Sequence, residues 1–372
     1  MTARAGRPRV LIVGPGPRSS GGVWSAIATL LRSPLAERYA LRHVATHRDG
    51  GGAAKLGQAA GGLARVAAAL AGRRADLVWI HTSAGASFRR KAIAAAMCRL
   101  ARTPYVLHVH GSAVPGWYGS AHPLERALVR RTLRTADLVV ALGPAWRGPL
   151  TGIAPCVIAC VMNPVDVPAA APRADRPAGP VVCTGRLGDH KGSAVLIRAL
   201  ARMPARHADT RLVLAGDGDR GPLRDEAARL GVGDRVELPG WIGAAEVGDL
   251  LGRAGVFALP SRNEGLPMAL LEAMARGLPC VVTPVGAVPD LAEDRVHALF
   301  VPPDDPAALA EALTALRDDP ERARALGDAA RARVAALCAT PVVADALDAC
   351  FRGVLDGATG RARGHGERAR VV

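Results

Sequence analysis

Aromatic residues are scarce in this chain of 372 residues, at 3% of the sequence. Proteins that hold single-stranded nucleic acid stack its bases on aromatic side chains, so this scarcity argues against that class. No apolar run approaches the ~18 to 20 residues that a membrane-spanning helix needs. The N-terminal segment offers only about five consecutive apolar residues, too few for a signal peptide. We therefore expect a cytoplasmic protein.

The cysteines do not follow the spacing of a disulfide framework or of a metal site. They are seven, an odd number, and they are scattered along the chain. Cys156 and Cys160 are separated by three residues, but no His or Cys pair lies nearby at the spacing of a zinc site. We expect reduced core cysteines, no disulfides and no metal.

Positive charge is present but unevenly distributed. Residues 1–168 contain 22 Lys and Arg against 6 Asp and Glu, whereas the rest of the chain contains 26 against 27. A general bias toward arginine would affect both halves alike, so the excess predicts an anionic partner for the first half. The candidates are an anionic membrane surface, a phospholipid-linked acceptor and nucleic acid.

A helix predicted over 87–102 carries much of this charge. Its apolar stripe consists of Ile93, Ala96, Met97 and Leu100, surrounded by Arg89, Arg90, Lys91, Arg99 and Arg102. We expect the basic residues to lie on the outer face of the domain. Through this face the protein would bind the inner surface of an anionic membrane. Trp117 and Tyr118 would assist as interfacial residues.

Apolar strands alternate with helices twice along the chain, which predicts two parallel α/β domains. We predict domains over 1–168 and 181–345, with a proline-containing linker over 169–180. A final helix is predicted over 346–358, followed by a disordered basic tail over 359–372.

The stretch from Ser261 to Gly277 has the strongest local signature. An apolar strand, a polar turn and a short helix follow one another, with Pro267 predicted at the first helical position and Gly277 just past the end. Free N–H groups at the helix start would bind an anion. Glu264 lies in the turn, and Glu272 lies four residues after Met268 on the same helix face. Two carboxylates thus flank a phosphate-sized site.

Two cations follow an earlier strand. Arg186 and Lys191 are five residues apart and bracketed by glycines. A guanidinium fork and an ammonium at this spacing suit a diphosphate leaving group. We assign no role to the intervening Asp189 and His190.

The spacing Glu264-x7-Glu272 within EGLPMALLEAMARGLPCVVTPVG resembles the signature of the retaining GT-B glycosyltransferases of family 4. The resemblance implies two Rossmann-like α/β domains facing across a cleft, with the last helix returning to the first domain. It implies that Glu264 and the following backbone at Gly265, Leu266 and Met268 meet the donor sugar. Glu272 would meet the nucleotide ribose.

Further elements carry the same resemblance. Arg186 and Lys191 match the family's G-R-x4-K-G element. Gly21 and Gly22 resemble its N-terminal glycine loop, which lies against the donor phosphates and the acceptor. His110 matches the V-H-G histidine that faces the reacting sugar, and Ile242 falls in the turn whose backbone contacts the base.

Three weaker motifs would indicate a dinucleotide site or a metal site. Gly14-Pro-Gly16 lacks the third glycine and the acidic residue of a dinucleotide fingerprint, which argues against an NAD-dependent oxidoreductase. Asp217-Gly-Asp219 has the form of a metal-binding D-x-D, but its place after a strand matches the family's G-x-G turn. His108 and His110 share a strand face, and no third metal ligand is evident.

We expect a metal-independent glycosyltransferase that moves a sugar from a nucleoside-diphosphate sugar, of the UDP or GDP type, to a hydroxyl acceptor. The acceptor would be lipid-linked or anionic, and the product a cell-envelope glycan, glycolipid or exopolysaccharide. No separate cofactor and no specific nucleic acid are expected. Alternatives are a GT-B sugar-nucleotide epimerase or phosphorylase, and a protein that binds nucleic acid or an anionic surface through the basic half. The chain departs from the family pattern at two places. Pro267 in place of Gly leaves the donor sugar open, and Gly286-Ala287 in place of Gly-Gly is a mild change.

Overall fold

The computed structural model describes residues 6–19, 21–111, 113–169 and 178–362. The described chain divides into two compact units: the first comprises the residues up to Pro164 and from Thr340 onward, and the second comprises Val165–Ala339. Most of the predicted linker and residues 363–372 of the predicted tail lie outside the described residues.

The first unit is built on a parallel sheet of six strands. They are β1 (Arg9–Pro15), β2 (Ala40–His47), β3 (Leu77–Thr82), β4 (Tyr105–Val109), β5 (Leu138–Ala141) and β6 (Ile158–Cys160). Their order in the sheet is β2-β1-β3-β4-β5-β6. Every residue of β3 and β4 is buried, as expected for central strands covered by helices on both faces.

Helices connect these strands. They are α1 (Gly22–Leu30), α2 (Leu35–Arg38), α3 (Gly52–Ala71), α4 (Ala86–Leu100), α5 (Ala113–Ser120), α6 (Pro123–Thr135) and α7 (Arg147–Ile153).

The second unit repeats this plan. Its strands are β7 (Val181–Thr184), β8 (Leu212–Ala215), β9 (Val236–Gly240), β10 (Val256–Leu259), β11 (Cys280–Val282) and β12 (Leu299–Phe300), in the parallel order β12-β11-β10-β7-β8-β9. Its helices are α8 (Ser193–Arg202), α9 (Gly221–Arg229), α10 (Ala244–Arg253), α11 (Met268–Ala275), α12 (Val288–Leu291), α13 (Pro306–Asp318) and α14 (Pro320–Cys338). The predicted α/β class with two parallel sheets is confirmed.

The last helix, α15 (Thr340–Ala362), belongs to the first unit and is longer than the predicted 346–358. Phe351 packs edge-on against Tyr39 and Trp79, with ring centroids 5.5 and 5.2 Å apart. The buried Asp348 carboxylate accepts hydrogen bonds from the Tyr39 hydroxyl at 2.7 Å and from Arg38 at 3.1 Å. These contacts explain why the chain joins the first unit at Thr340.

The boundary near residue 165 also differs from the expected 168. Val165 pairs with Ala339 in an isolated β-bridge, and the Val165 amide donates to the Cys338 carbonyl at 2.8 Å. Arg331 donates to the Pro168 carbonyl at 2.5 Å. Residues 165–168 are therefore held by α14 of the second unit.

None of the helices in the described ranges is both long and apolar enough to cross a membrane.

Candidate active site

The turn after β10 fixes the position of Glu264. Its carboxylate is 9% exposed and accepts hydrogen bonds from the Ser261 hydroxyl at 2.7 Å and from the Lys191 ammonium at 2.5 Å. The Thr283 hydroxyl in turn donates to the Ser261 carbonyl at 2.5 Å. Because each partner is itself held, the carboxylate is presented in one orientation.

The glycine-rich loop after β7 brings the two predicted cations to the same turn. The Arg262 amide donates to the His190 carbonyl at 2.9 Å, which joins the loop to the segment before Glu264. Gly192 has φ 69°, and a side chain there would collide with the Pro260 carbonyl at 2.3 Å. Lys191 is therefore positioned by backbone that only glycine permits.

Arg186 lies on this loop with its guanidinium exposed to solvent. Within the described ranges it makes no hydrogen bond or ion pair. The turn after β8 supports its backbone, because a side chain at Gly216 would lie 1.5 Å from the Gly185 carbonyl. Lys191, by contrast, is paired with Glu264. An exposed cation and a paired cation thus occupy one loop.

Helix α11 begins at Met268, and Pro267 is its N-cap rather than its first residue, with φ −72° and ψ 120°. The prediction of Pro267 at the first helical position was thus wrong by one residue, because its ψ is extended. The first helical hydrogen bond runs from Leu270 to the Pro267 carbonyl at 3.1 Å. The amides of Met268 and Ala269 precede it and are available to an anion.

Glu272 is half-buried on α11, and its surroundings raise the pKa of its carboxyl because burial disfavours the charge, while Arg276 acts in the opposite direction. No side-chain hydrogen bond satisfies this carboxylate among the residues described. A half-buried carboxylate without a donor is suited to accept hydrogen bonds from a ligand hydroxyl.

The turn between β11 and α12 closes over the same segment. Gly286 has φ 64°, and a side chain there would lie 2.0 Å from the Glu264 carbonyl and 2.7 Å from that of Gly265. The Ala287 amide donates to the Gly265 carbonyl at 2.8 Å. The Gly-Ala pair thus holds the backbone that carries Glu264.

Family models match both parts of the chain. The model described as "Glycosyl transferases group 1" matches residues 176–333, and the model described as "Glycosyltransferase Family 4" matches residues 25–168. The chain belongs to glycosyltransferase family 4.

Relatives and solved structures agree with this assignment. D-inositol 3-phosphate glycosyltransferase 1 of Catenulispora acidiphila is 31% identical over 278 residues, which cover 68% of this chain and 66% of that protein, just under two thirds of its length. Sucrose-phosphate synthase from Thermosynechococcus elongatus superposes with a TM-score of 0.78 at 20% identity, covering 94% of this chain and all of that one. Anabaena HepE, solved with UDP and glucose, gives 0.75 at 19% identity over 93% of this chain and all of its own. These two structures establish the GT-B fold.

Most of the predicted donor-binding residues of this family 4 chain lie in the second unit. Gly265, Leu266 and Met268 continue from Glu264, and Leu266 and Met268 are buried. Ile242 lies in the turn after β9. The Gly240 carbonyl before this turn accepts a hydrogen bond from the Gly216 amide at 2.8 Å. Gly216 also packs against the loop of Arg186, so the two segments are linked through it. The predicted Gly21, Gly22 and His110 belong to the first unit, where Gly21 precedes α1 and Gly22 is its first residue.

His110 lies in a cluster of three buried histidines, of which only His108 and His110 stand out in the sequence. His81 at the end of β3 is the third: its Nδ1 lies 2.8 Å from Nε2 of His110, and its ring lies 5.2 Å from that of His108. One nitrogen of each ring lies within 4.8 Å of the others, so the expectation that no third ligand is near was wrong.

These imidazoles are neutral at physiological pH. Burial lowers the pKa of His110 to about 3 and places those of His81 and His108 well below their usual range. In the part of the chain that the structure describes, both nitrogens of His108 and Nε2 of His81 have no hydrogen-bond partner. The cluster can exchange hydrogen bonds with a sugar hydroxyl, but it contributes no positive charge.

Helix α4 is oriented differently from the prediction. Lys91, expected on the outer face, is 1% exposed, whereas Ile93 and Leu100 of the predicted apolar stripe are 48% and 87% exposed. The buried face instead includes Phe88, Ala92, Ala95 and Cys98. The Lys91 ammonium donates to the Thr46 hydroxyl at 2.6 Å, beside the carboxyl ends of β1 and β2.

Proposed function

We propose that this chain is a retaining glycosyltransferase that moves a sugar from a nucleoside-diphosphate sugar to a hydroxyl acceptor. The observation that carries the proposal is the pair of carboxylates in the second unit. Glu264 is fixed by Lys191 and Ser261, and Glu272 is half-buried without a donor. A fixed carboxylate suits the sugar that reacts, and an unsatisfied one suits the ribose hydroxyls of the nucleotide.

The leaving diphosphate would be held by Arg186, Lys191 and the first amides of α11. Fixed positive charge and backbone donors stabilise the negative charge that develops as the sugar–phosphate bond breaks. The leaving phosphate is itself basic enough to accept the proton of the acceptor hydroxyl, so the mechanism needs no dedicated protein base. Neutral His110 would contribute hydrogen bonds to the sugar.

A thermal-shift panel tests this proposal. UDP, GDP, ADP, dTDP and NAD would be compared on the wild type, on Glu272→Ala and on Glu311→Ala, which removes an exposed glutamate from α13. A ligand at 100 times its dissociation constant stabilises the native state by about 2.7 kcal/mol. We expect one nucleoside diphosphate of the UDP or GDP type to stabilise the wild type and Glu311→Ala but not Glu272→Ala. Stabilisation by NAD alone, or by nothing, would overturn the proposal.

Two further assays separate the alternatives. A sugar-nucleotide epimerase would convert the intact donor without an acceptor, so product formed from the donor alone would favour it. A nucleic-acid-binding protein would bind RNA more tightly than anionic vesicles, with a steep dependence on salt. We expect neither result.

We also propose that the first unit works at an anionic membrane surface. Ile93 and Leu100 lie one heptad apart on α4 and are exposed, while Arg89 on the same helix has 56% of its side chain exposed. Exposed apolar residues among arginines are typical of interfacial helices. The protein should float with vesicles containing phosphatidylglycerol and not with phosphatidylcholine alone, and Leu100→Gln should weaken flotation. Equal flotation of both proteins would contradict this role for α4.

A further inference from the structure

Lysine is rare in this protein, and one of the few lysines lies in an unusual place. Of 48 basic Lys and Arg residues, three are lysines: Lys55, Lys91 and Lys191. Lys55 is exposed on α3, and Lys191 belongs to the proposed diphosphate site. Lys91 is 1% exposed in the first unit. In a chain that uses arginine almost everywhere, a buried lysine marks a place where a compact ammonium fits and a guanidinium does not.

Lys91 lacks the partner that a buried cation requires. Among the described residues, its one hydrogen bond is to the neutral Thr46 hydroxyl at 2.6 Å, and that hydroxyl donates to the Gly14 carbonyl at 3.2 Å. No carboxylate pairs with Lys91 within the described ranges. Burying an ammonium without a counterion is strongly unfavourable, and two of its three protons have no acceptor.

A second cation lies directly beside it. Arg90 is partly buried, its Nε is inaccessible to solvent, and this atom has no hydrogen-bond partner in the described chain. Burial lowers the pKa of both Arg90 and Lys91, that of Lys91 to about 7. Both cations also act on His47 at the end of β2, which lies 3.5 Å from Asp49. This end of the sheet therefore carries more positive charge than the chain neutralises.

Lys91 and Thr46 lie at the edge of the sheet where α/β folds commonly bind ligands. Gly14 and Thr46 lie at the carboxyl ends of β1 and β2, the edge at which doubly wound α/β sheets bind ligands. The chain is closely packed where it leaves β1, because a side chain at Gly16 would lie 2.7 Å from the Ala45 Cβ.

We propose that Lys91, held in place by the Thr46 hydroxyl, and Arg90 form a binding site for a phosphate group of the acceptor. This inference rests on the proposed glycosyltransferase function and specifies its acceptor class, a hydroxyl compound that carries a phosphate or diphosphate. The phosphate supplies the missing counterion and accepts the unused protons of the ammonium. The site differs from the donor diphosphate site, which uses Arg186 and Lys191 of the second unit.

The test uses the whole protein and inorganic pyrophosphate as the probe. The donor site is first saturated with the nucleoside diphosphate that the thermal-shift panel identifies, and pyrophosphate is then titrated by calorimetry. Wild type is compared with Lys91→Met, which keeps the length of the side chain, and with Lys55→Met, the same change at an exposed lysine. We expect Lys91→Met to weaken pyrophosphate binding at least tenfold and Lys55→Met to leave it unchanged.

Two controls keep the result interpretable. Lys91→Met should melt at or above the wild-type temperature without ligand and should keep its nucleotide-induced shift, so a loss of binding cannot be attributed to unfolding. Pyrophosphate binding that persists in Lys91→Met but is lost in Arg186→Gln overturns this inference and leaves the proposed function intact. Wild type that binds nucleotide but no pyrophosphate also overturns it. An absence of nucleotide binding overturns the proposed function instead.

A lipid arm distinguishes the source of the phosphate. Geranyl diphosphate that binds more tightly than pyrophosphate, with both lost in Lys91→Met, supports a lipid-linked acceptor. Equal affinity for the two probes, again lost in Lys91→Met, supports a water-soluble phosphorylated acceptor.

Discussion

Two lysines of this protein have opposite surroundings. Lys191 in the second unit is partly buried and paired with Glu264 at 2.5 Å, whereas the buried Lys91 in the first unit has, among the described residues, only the neutral Thr46 hydroxyl as a partner. The paired lysine stabilises the protein and holds a carboxylate in place before any ligand arrives. An unpaired buried ammonium is unfavourable, and the proposed phosphate ligand would supply its counterion. The two proposed anion sites would therefore differ in how the chain prepares them.

The largest effect should come from breaking the pair. Lys191→Met removes a cation from the leaving diphosphate and leaves Glu264 buried without its partner. Loss of one electrostatic stabiliser of a transition state typically lowers kcat about 10²- to 10³-fold. Breaking a buried ion pair destabilises a protein by roughly 3 to 5 kcal/mol. We expect both effects, measured as the rate of sugar release from the donor and as the melting temperature.

The double variant Lys191→Met/Glu264→Gln separates these effects. It removes the uncompensated charge, so stability should recover toward that of the wild type while activity stays low. If activity also recovered, Lys191 would act only through Glu264 and not on the diphosphate.

The backbone that carries Glu264 should be sensitive to a single methyl group. Gly286→Ala places a Cβ 2.0 Å from the Glu264 carbonyl at φ 64°. The left-handed conformation alone costs roughly 1 to 2 kcal/mol for a residue with a side chain. We expect a larger loss of stability and weaker nucleotide binding, because the turn must move.

The matched control is Gly231→Ala, at φ 69° with no atom within 4 Å of the added Cβ. It carries the same conformational cost without the collision. Equal melting temperatures for the two variants would show that the turn adapts freely and does not position Glu264.

The fold could be predicted, and the candidate second-unit site proposed, from the sequence because their signals are local. Apolar strands, glycines and the Glu264-x7-Glu272 spacing are all read within a few residues. The signal of β2 is weaker, because this edge strand is only half-buried and contains Arg42 and His43. The first half of α3 also has a weak signal, because Gly57 and Gly61 lower its helix propensity.

The first-unit site could not be predicted in the same way, because its members meet across strands and helices. His81 faces His108 in the β3–β4 register, and no local signal within β3 shows which strand lies beside it. Lys91 was placed outward because lysine is rarely buried. The alternative buried face of α4, with Phe88, Ala92, Ala95 and Cys98, has the same helical spacing as the predicted stripe. Periodicity alone cannot choose between two such stripes.

The unpaired lysine predicts a distinct pH dependence. The pKa of Lys91 is about 7 in the folded protein and about 10.5 in the unfolded chain, so between these values only the unfolded state binds the proton. Stability should therefore rise with pH across this interval, by up to about 1.36 kcal/mol per pH unit. Lys91→Met should lack this component, measured as the difference between the two unfolding free energies from pH 7 to 10. Parallel pH profiles for the two proteins would show that Lys91 has an ordinary pKa and a counterion.

The smallest of these effects should be the pH dependence of nucleotide affinity that arises from the Glu272 carboxyl, and it should be confined to acidic pH. Burial raises the pKa of its carboxyl, and ribose hydroxyls donate best to the ionised form. Nucleotide affinity should fall as the pH falls through this raised pKa, because protonation removes an acceptor. Glu272→Gln keeps the shape of the side chain but cannot ionise. The variant should therefore bind the nucleotide more weakly than wild type at neutral pH, and its affinity should lack the pH dependence that comes from this carboxyl. If wild type and Glu272→Gln lost affinity in parallel on acidification, the titrating group would lie elsewhere, and Glu272 would act as a neutral acceptor.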